Sequence, residues 1–156
     1  MQSRNCHQPL QEYTMKSINP YISFNGNCEE AFTFYQKVFG GELKLYRYRD
    51  APPNSFPMTE DEKELVMHCS LQIGLTPLMG ADTSQSSGPK ANFGDNITIS
   101  INPNNAEEAK RVFAALAEGG KILMPIEKAF WAELFGMLID RFGIPWMVNF
   151  GDCEPL

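Results

Sequence analysis

The sequence predicts an α+β fold built from two tandem βαβββ modules whose strands form a curved mixed sheet. Three observations predict it. An amphipathic helix framed by an asparagine and a pair of glycines occurs twice, with Asn105 in the place of Asn27 and Gly119-Gly120 in the place of Gly40-Gly41. One strand-like segment precedes each helix. Three strand-like segments follow each helix.

The first module begins with residues 18–24, which are rich in strand formers. Asn27 then opens a helix, with Glu30 three residues later in the manner of a capping box. Ala31, Phe34, Tyr35, Val38 and Phe39 fall on one helical face, and Gly40-Gly41 stop the helix. Strands are expected at 42–49, 66–73 and 77–81. Stretches 50–64 and 82–95 are polar and rich in Pro, Gly or Ser, so they read as loops. Long loops in a compact domain are often functional or mobile.

The second module repeats this order. Residues 97–101 alternate apolar and polar. Glu108 stands three residues after Asn105, and Ala109, Val112, Phe113, Leu116 and Ala117 form the apolar face. Strands are expected at 121–126, 133–140 and 144–150. Asp140, Arg141, Phe142 and Gly143 read as a hairpin turn, with the aspartate bonding its own backbone and the glycine at positive φ. Burial of both helical faces predicts that Phe34→Ala and Phe113→Ala each cost roughly 3–5 kcal/mol.

Residues 1–15 form a polar tail without the apolar core of a secretory signal, and residues 16–156 form one domain, with modules at about 16–82 and 95–151. No apolar run approaches the ~20 residues of a membrane span. A net charge of -6 argues against nucleic acid and against an anionic membrane surface. Cys6, Cys28, Cys69 and Cys153 form no CxxC pair, so they read as free thiols in a reducing, cytoplasmic setting. There is no GxSxG, GxGxxG or GxxxxGK[ST] motif. Glu29-Glu30 and Glu107-Glu108 stand at helix starts, where carboxylates favour the macrodipole. Glu60, Asp61, Glu62 and Glu64 read as a solvated acidic run.

Two segments carry a family resemblance. Asn19-Pro20-Tyr21-Ile22-Ser23-Phe24-Asn25-Gly26-Asn27-Cys28, with Glu30-Ala31 and Phe34-Tyr35 after it, resembles the opening of the PhnB-like branch of the vicinal-oxygen-chelate (glyoxalase/bleomycin-resistance/dioxygenase) superfamily. Ala129-Phe130-Trp131, Phe135-Gly136 and the run Ile139-Asp140-Arg141-Phe142-Gly143-Ile144-Pro145-Trp146 resemble its closing signature. The resemblance spans about residues 16–150. It implies half-barrels that enclose a cavity, helices outside, and a homodimer, with modules paired across chains in some members.

Metal-using members of the superfamily draw ligands from the first strand of each module and the last strand of the second. Those positions fall here at Pro20, Asn96 and Met147. Proline offers no donor atom, methionine only a soft thioether, and asparagine a weak neutral oxygen. The reading is therefore a small-molecule-binding protein with no metal and no cofactor, whose catalytic residues, if it has any, are not identified by the sequence. One alternative is a metal-dependent lyase or dioxygenase using His68 with Asp82 or Glu133. Another is a structural or interaction protein without a ligand. The methyltransferase label carried by relatives of this branch is set aside, because no glycine-rich loop is present to hold S-adenosylmethionine.

Alternation selects the cavity wall. His68, Ser70 and Gln72 face the cavity, while Met67, Cys69, Leu71 and Ile73 face the helix. Asn96, Thr98 and Ser100 point inward, with Ile97, Ile99 and Ile101 toward the helix. In the last strand Met147 and Asn149 point inward, and Ile144, Trp146, Val148 and Phe150 form the apolar set. Trp131, next to Phe130, covers the cavity mouth or packs between subunits. His7 belongs to the tail.

Overall fold

The computed structural model describes residues 14–55 and 57–152. The expectations for Cys6, His7 and Cys153, and for most of the tail, lie outside the described residues. The first module contains β1 (Tyr21–Phe24), α1 (Cys28–Phe39), β2 (Leu43–Arg47), β3 (Val66–Ile73) and β4 (Thr76–Asp82). The second contains β5 (Ile99–Ile101), α2 (Ala106–Ala117), β6 (Lys121–Glu127), β7 (Ala132–Ile139) and β8 (Pro145–Asp152).

The strands form two four-stranded sheets, ordered β1-β4-β3-β2 and β5-β8-β7-β6. In each, the first strand pairs parallel with the last and the other pairs are antiparallel. The repeat seen in the sequence is thus a repeat of topology, expressed as two sheets and not as one continuous sheet. The opening strands are shorter than expected. Ile18 and Ile97 are 93% and 74% exposed, because the parallel pairing begins only at Tyr21↔Met79 and Ile99↔Trp146.

One side of each sheet packs on a helix, and the helices touch each other. The α2 face is as expected: Ala109, Val112, Phe113 and Leu116 are buried. The α1 face is rotated. Phe32 is fully buried with Cys28, Ala31, Tyr35 and Val38, whereas Phe34 is only half-buried. Phe34 lies beneath the Arg141 guanidinium, 4.5 Å from its ring centre, and against Phe142. Phe32 fills the space over Gly80, where a Cβ would come within 2.6 Å of its ring. Gly136 does the same for Phe113, also at 2.6 Å.

The helix starts are built differently. Asn105 caps α2, its Oδ1 accepting from Glu108 N at 2.8 Å. Asn27 makes no side-chain cap bond. Asp82 at the end of β4 takes over: Oδ1 accepts from Gly26 N and Cys28 N at 2.9 and 3.0 Å, and Oδ2 accepts from Val66 N at 3.0 Å. Asn105→Ala is therefore expected to cost about 1 kcal/mol in urea unfolding, and Asn27→Ala less than about half that. Equal losses at the two positions would contradict these caps. At the exit of α1, Gly41 has φ +89°, and a Cβ there would lie 2.3 Å from Gln72 O.

Two further expectations change. A register shift between Tyr46 and Arg47 buries Val66 and leaves Met67 half-exposed, so Met67 is not part of the helix-facing set. Glu62 in the acidic run is buried, not solvated. Its carboxylate accepts from Gln85 N at 2.7 Å and from Thr59 N at 2.9 Å. Those backbone bonds hold its pKa below the usual carboxylate value. Glu62 thereby ties the two long loops together, while Asn25 ties the second loop to the body through Thr83 and Ala91.

Candidate functional site

With one side of each sheet against helices, the opposite side is covered by no helix among the described residues. On the first sheet the open side carries His68, Ser70 and Gln72, the three residues that alternation in β3 selected. Lys44 stands opposite Ser70, Tyr46 opposite His68, and Met79 between Ser70 and Tyr21, so Tyr21, Met79, Ser70 and Lys44 make one row across four strands. The Tyr21 hydroxyl is 3.3 Å from His68 Nδ1, and the two rings stack with centres 5.7 Å apart. Burial raises the Tyr21 pKa above the ordinary tyrosine value. Gln72 is exposed and donates to Gly74 O at 3.0 Å.

On the second sheet the corresponding row is Ser100, Met147, Met137 and Met124. Asn149 stands opposite Phe135. Trp131 packs edge-on to Phe135 at 5.1 Å and to Phe130 at 4.5 Å. Asn96 and Thr98 precede β5. Asn96 is exposed, and Thr98 is half-buried in a cleft of about 850 Å³ between the β3–β4 hairpin and β5.

The nine residues expected on one cavity wall therefore stand in three places within this chain. His68, Ser70 and Gln72 share one open face. Ser100, Met147, Asn149 and the nearby Trp131 share or border the other. Asn96 and Thr98 lie at the approach to β5. Sequence reasoning missed Tyr21, Lys44, Tyr46, Met124, Phe135 and Met137. The signal for Tyr21, Phe135 and Met137 was the same alternation, applied to β1 and β7.

The family described as 3-demethylubiquinone-9 3-methyltransferase matches residues 16–149. A solved Bacillus cereus structure titled as a putative member of that family and as PhnB protein is 24% identical, with a TM-score of 0.68, over 87% of this chain and 100% of its own; at that identity it speaks to the fold. The chain belongs to the PhnB-like family. Its fold is shared with a glyoxalase-related enzyme from Fulvimarina pelagi, at 19% identity and a TM-score of 0.52 over 88% of this chain and 89% of that one, and with a glyoxalase/bleomycin resistance protein/dioxygenase family enzyme from Burkholderia phytofirmans PsJN, at 15% identity and a TM-score of 0.54 over 83% and 95%. Protein PA1353 from Pseudomonas aeruginosa is similar at 40% identity and a TM-score of 0.77, over 88% of this chain and 98% of that one. Protein YjdN of Escherichia coli (strain K12) is 33% identical over 147 residues, 88% of this chain and 97% of the relative.

The three positions at which the resemblance places metal ligands, Pro20, Asn96 and Met147, do not come together as a donor set among the described residues. Pro20 only lends its carbonyl to Met79 N, at 3.2 Å. Met147 lies in the methionine row, and Asn96 is exposed. Among the described residues, no three His, Cys, Asp or Glu side chains gather where an ion could sit. His68 does not pair with Asp82. Both Asp82 oxygens are held by backbone N–H groups on the helix side of the sheet, away from His68. Glu133 lies on the other sheet.

Nor does the PhnB-like chain show an activated thiol among the described residues. Cys28 and Cys69 are buried with their sulfurs 3.5 Å apart. The bond to Cys69 and burial push the Cys28 thiol far above its ordinary pKa, which keeps it protonated and a poor nucleophile. No helix among the described residues is long and apolar enough to cross a membrane.

Proposed function

We propose that this PhnB-like protein binds a small molecule on its open sheet faces, as a cytoplasmic homodimer, without the divalent ion usual in its superfamily. One observation carries the reading. Each sheet covers one side with helix and leaves aromatic and methionine side chains exposed on or beside the other: Tyr21 at 50%, Tyr46 at 51%, Met124 at 44% and Trp131 at 39%. A contiguous apolar surface rimmed by polar groups marks an interaction site. Ligand sites combine such a wall with a few placed polar groups. A second copy laid against these faces converts two open sheets into an enclosed cavity. The methyl transfer in the family's description is not adopted, because the sequence contains no GxGxxG loop.

Two measurements test this. Sedimentation is expected to give about twice the 17.6 kDa chain mass. Protein purified without chelator or affinity metal is expected to hold no stoichiometric metal, and Mg, Mn, Fe(II), Ni and Zn are expected to leave its melting temperature unchanged. A metal at 100 times its Kd stabilises by ~2.7 kcal/mol, a shift of several degrees in a chain of this size. Stoichiometric metal with such a shift overturns the metal-free reading. A monomer at tens of micromolar overturns the shared cavity.

A further inference from the structure

The two open faces differ in chemistry, and the difference points to the kind of ligand. The first face is a field of proton donors. Lys44 contributes an ammonium, and Tyr46 and Ser70 contribute hydroxyls. The Tyr21–His68 pair contributes one outward donor whichever tautomer it adopts. If Tyr21 donates to His68 Nδ1, the other ring nitrogen carries a hydrogen that points away from the pair. If Nδ1 donates to the phenol oxygen, the phenol hydrogen is free to donate outward. Tyr21 keeps that hydrogen at neutral pH, since a phenol titrates at ~10 and partial desolvation moves it only upward. Among the described residues of the four strands, no carboxylate opposes these donors. Asp82 is the only acid in β1–β4, and it is turned to the helix side and held by three backbone N–H groups. In a chain of net charge -6 this face is locally cationic and donor-rich.

The second face is the opposite. Met124, Met137 and Met147 form a row, with Phe135 and Trp131 beside it and the carboxylates of Glu127 and Glu133 beyond Phe135, at the end away from the methionines. Thioether side chains adapt their shape and favour contact with aromatic rings. Such a row suits a flat apolar body of variable outline better than a branched polar one.

We infer that the ligand is a planar aromatic anion, its carboxylate or equivalent oxyanion held by Tyr21, His68 and Lys44 and its ring laid on the methionine row. This rests on the small-molecule reading above and assigns the ligand's chemical class. The oxyanion supplies the acceptors the first face lacks, and charge-assisted bonds from Lys44 and the Tyr21–His68 pair are the strong kind. The ring covers the methionines and Phe135, which water solvates poorly. Tyr21 and Lys44 are both exposed, so Tyr21→Phe, which keeps the ring, and Lys44→Gln remove polar groups without opening the core.

The test uses isothermal titration of the whole protein with 2-naphthoate and with its uncharged analogue 2-naphthamide. Naphthoate is expected to bind at least about tenfold more tightly than the amide, the value of one charge-assisted hydrogen bond. Tyr21→Phe, His68→Ala and Lys44→Gln are each expected to weaken naphthoate several-fold and to leave the amide within twofold. Met137→Ala is expected to weaken both probes. Equal binding of the two probes, or polar variants that leave naphthoate unchanged, overturns the anionic class while the cavity reading stands. No heat from either probe at millimolar concentration overturns the cavity reading and this inference together.

Discussion

Asp140→Ala is expected to lower the unfolding free energy by about 4 kcal/mol in urea titration at pH 7, the combined effect of several buried donors left unpaired. The Asp140 carboxylate is 3% exposed and collects four hydrogens. Oδ1 accepts from Phe142 N at 2.8 Å and Ile144 N at 3.0 Å, which fixes the β7–β8 turn. Oδ2 accepts from the Tyr35 hydroxyl at 2.7 Å and Trp146 Nε1 at 2.8 Å. Tyr35 belongs to α1, so this one carboxylate joins the first module's helix to the second module's sheet. That loss is about a quarter to four-fifths of the roughly 5–15 kcal/mol by which a typical domain is stable. A double-mutant cycle separates the cause from simple packing loss. Tyr35→Phe removes one orphaned donor, so it is expected to cost at least about 1 kcal/mol less in the Asp140→Ala background than in the wild type. Strict additivity would show that the Tyr35 bond contributes nothing.

The same bond sets a pH limit. Burial raises the Tyr35 pKa far above the ordinary tyrosine value, and the neighbouring Asp140 charge raises it further. A group whose pKa is higher in the folded state contributes stability that is intact below its unfolded pKa, near ~10 for tyrosine. Above that pH the unfolded chain loses the phenol proton while the folded chain keeps it, so stability falls with further alkalinity. Tyr35→Phe should flatten that alkaline decline.

The turn at Asp140–Gly143 was legible because its signal is local. An aspartate bonding its own backbone and a glycine at φ +86° need nothing beyond the tetrapeptide. The module repeat was legible for a related reason, since period and caps are written within each helix. What the sequence did not disclose is carried by partners far away along the chain. Nothing near Asn27 says that Asp82 performs the cap. Nothing in the acidic run says that Glu62 alone turns inward to meet Gln85. The open faces were half-legible. His68, Ser70 and Met147 lie on the strand faces turned from the helices, as period-2 geometry requires of residues next to Cys69, Leu71, Trp146 and Val148. The separation of those residues onto two sheets follows from strand pairings that all stay within one module, and the modules meet through contacts such as Tyr35–Asp140 and Arg111–Val38. Periodicity within one strand does not encode such contacts.

Phe32→Ala is expected to cost about 3–5 kcal/mol, and Phe34→Ala well under half of that. The helical pattern alone ranks them the other way. Phe34 falls on the i, i+3, i+4 stripe with Ala31 and Tyr35, and Phe32 stands one step to its side. The sheet decides the rotation. Gly80 on β4 leaves room for the Phe32 ring, which meets Phe24 and Tyr35 edge-on at 6.2 and 5.6 Å. Its truncation leaves a cavity bounded by strand backbone, which has little freedom to collapse. Phe34 is held between Arg141 and Phe142 at the margin, where water can replace much of what is lost. Gly80→Ala gives the complementary result. The added methyl meets the Phe32 ring at 2.6 Å and Ile22 O at 2.8 Å, so overpacking is expected to cost about 1–3 kcal/mol. Pairing Gly80→Ala with Phe32→Leu should recover part of that loss. Equal sensitivity of Phe32 and Phe34, with no recovery in the pair, would mean that α1 presents the face the sequence pattern first suggests and that Gly80 has no part in setting it.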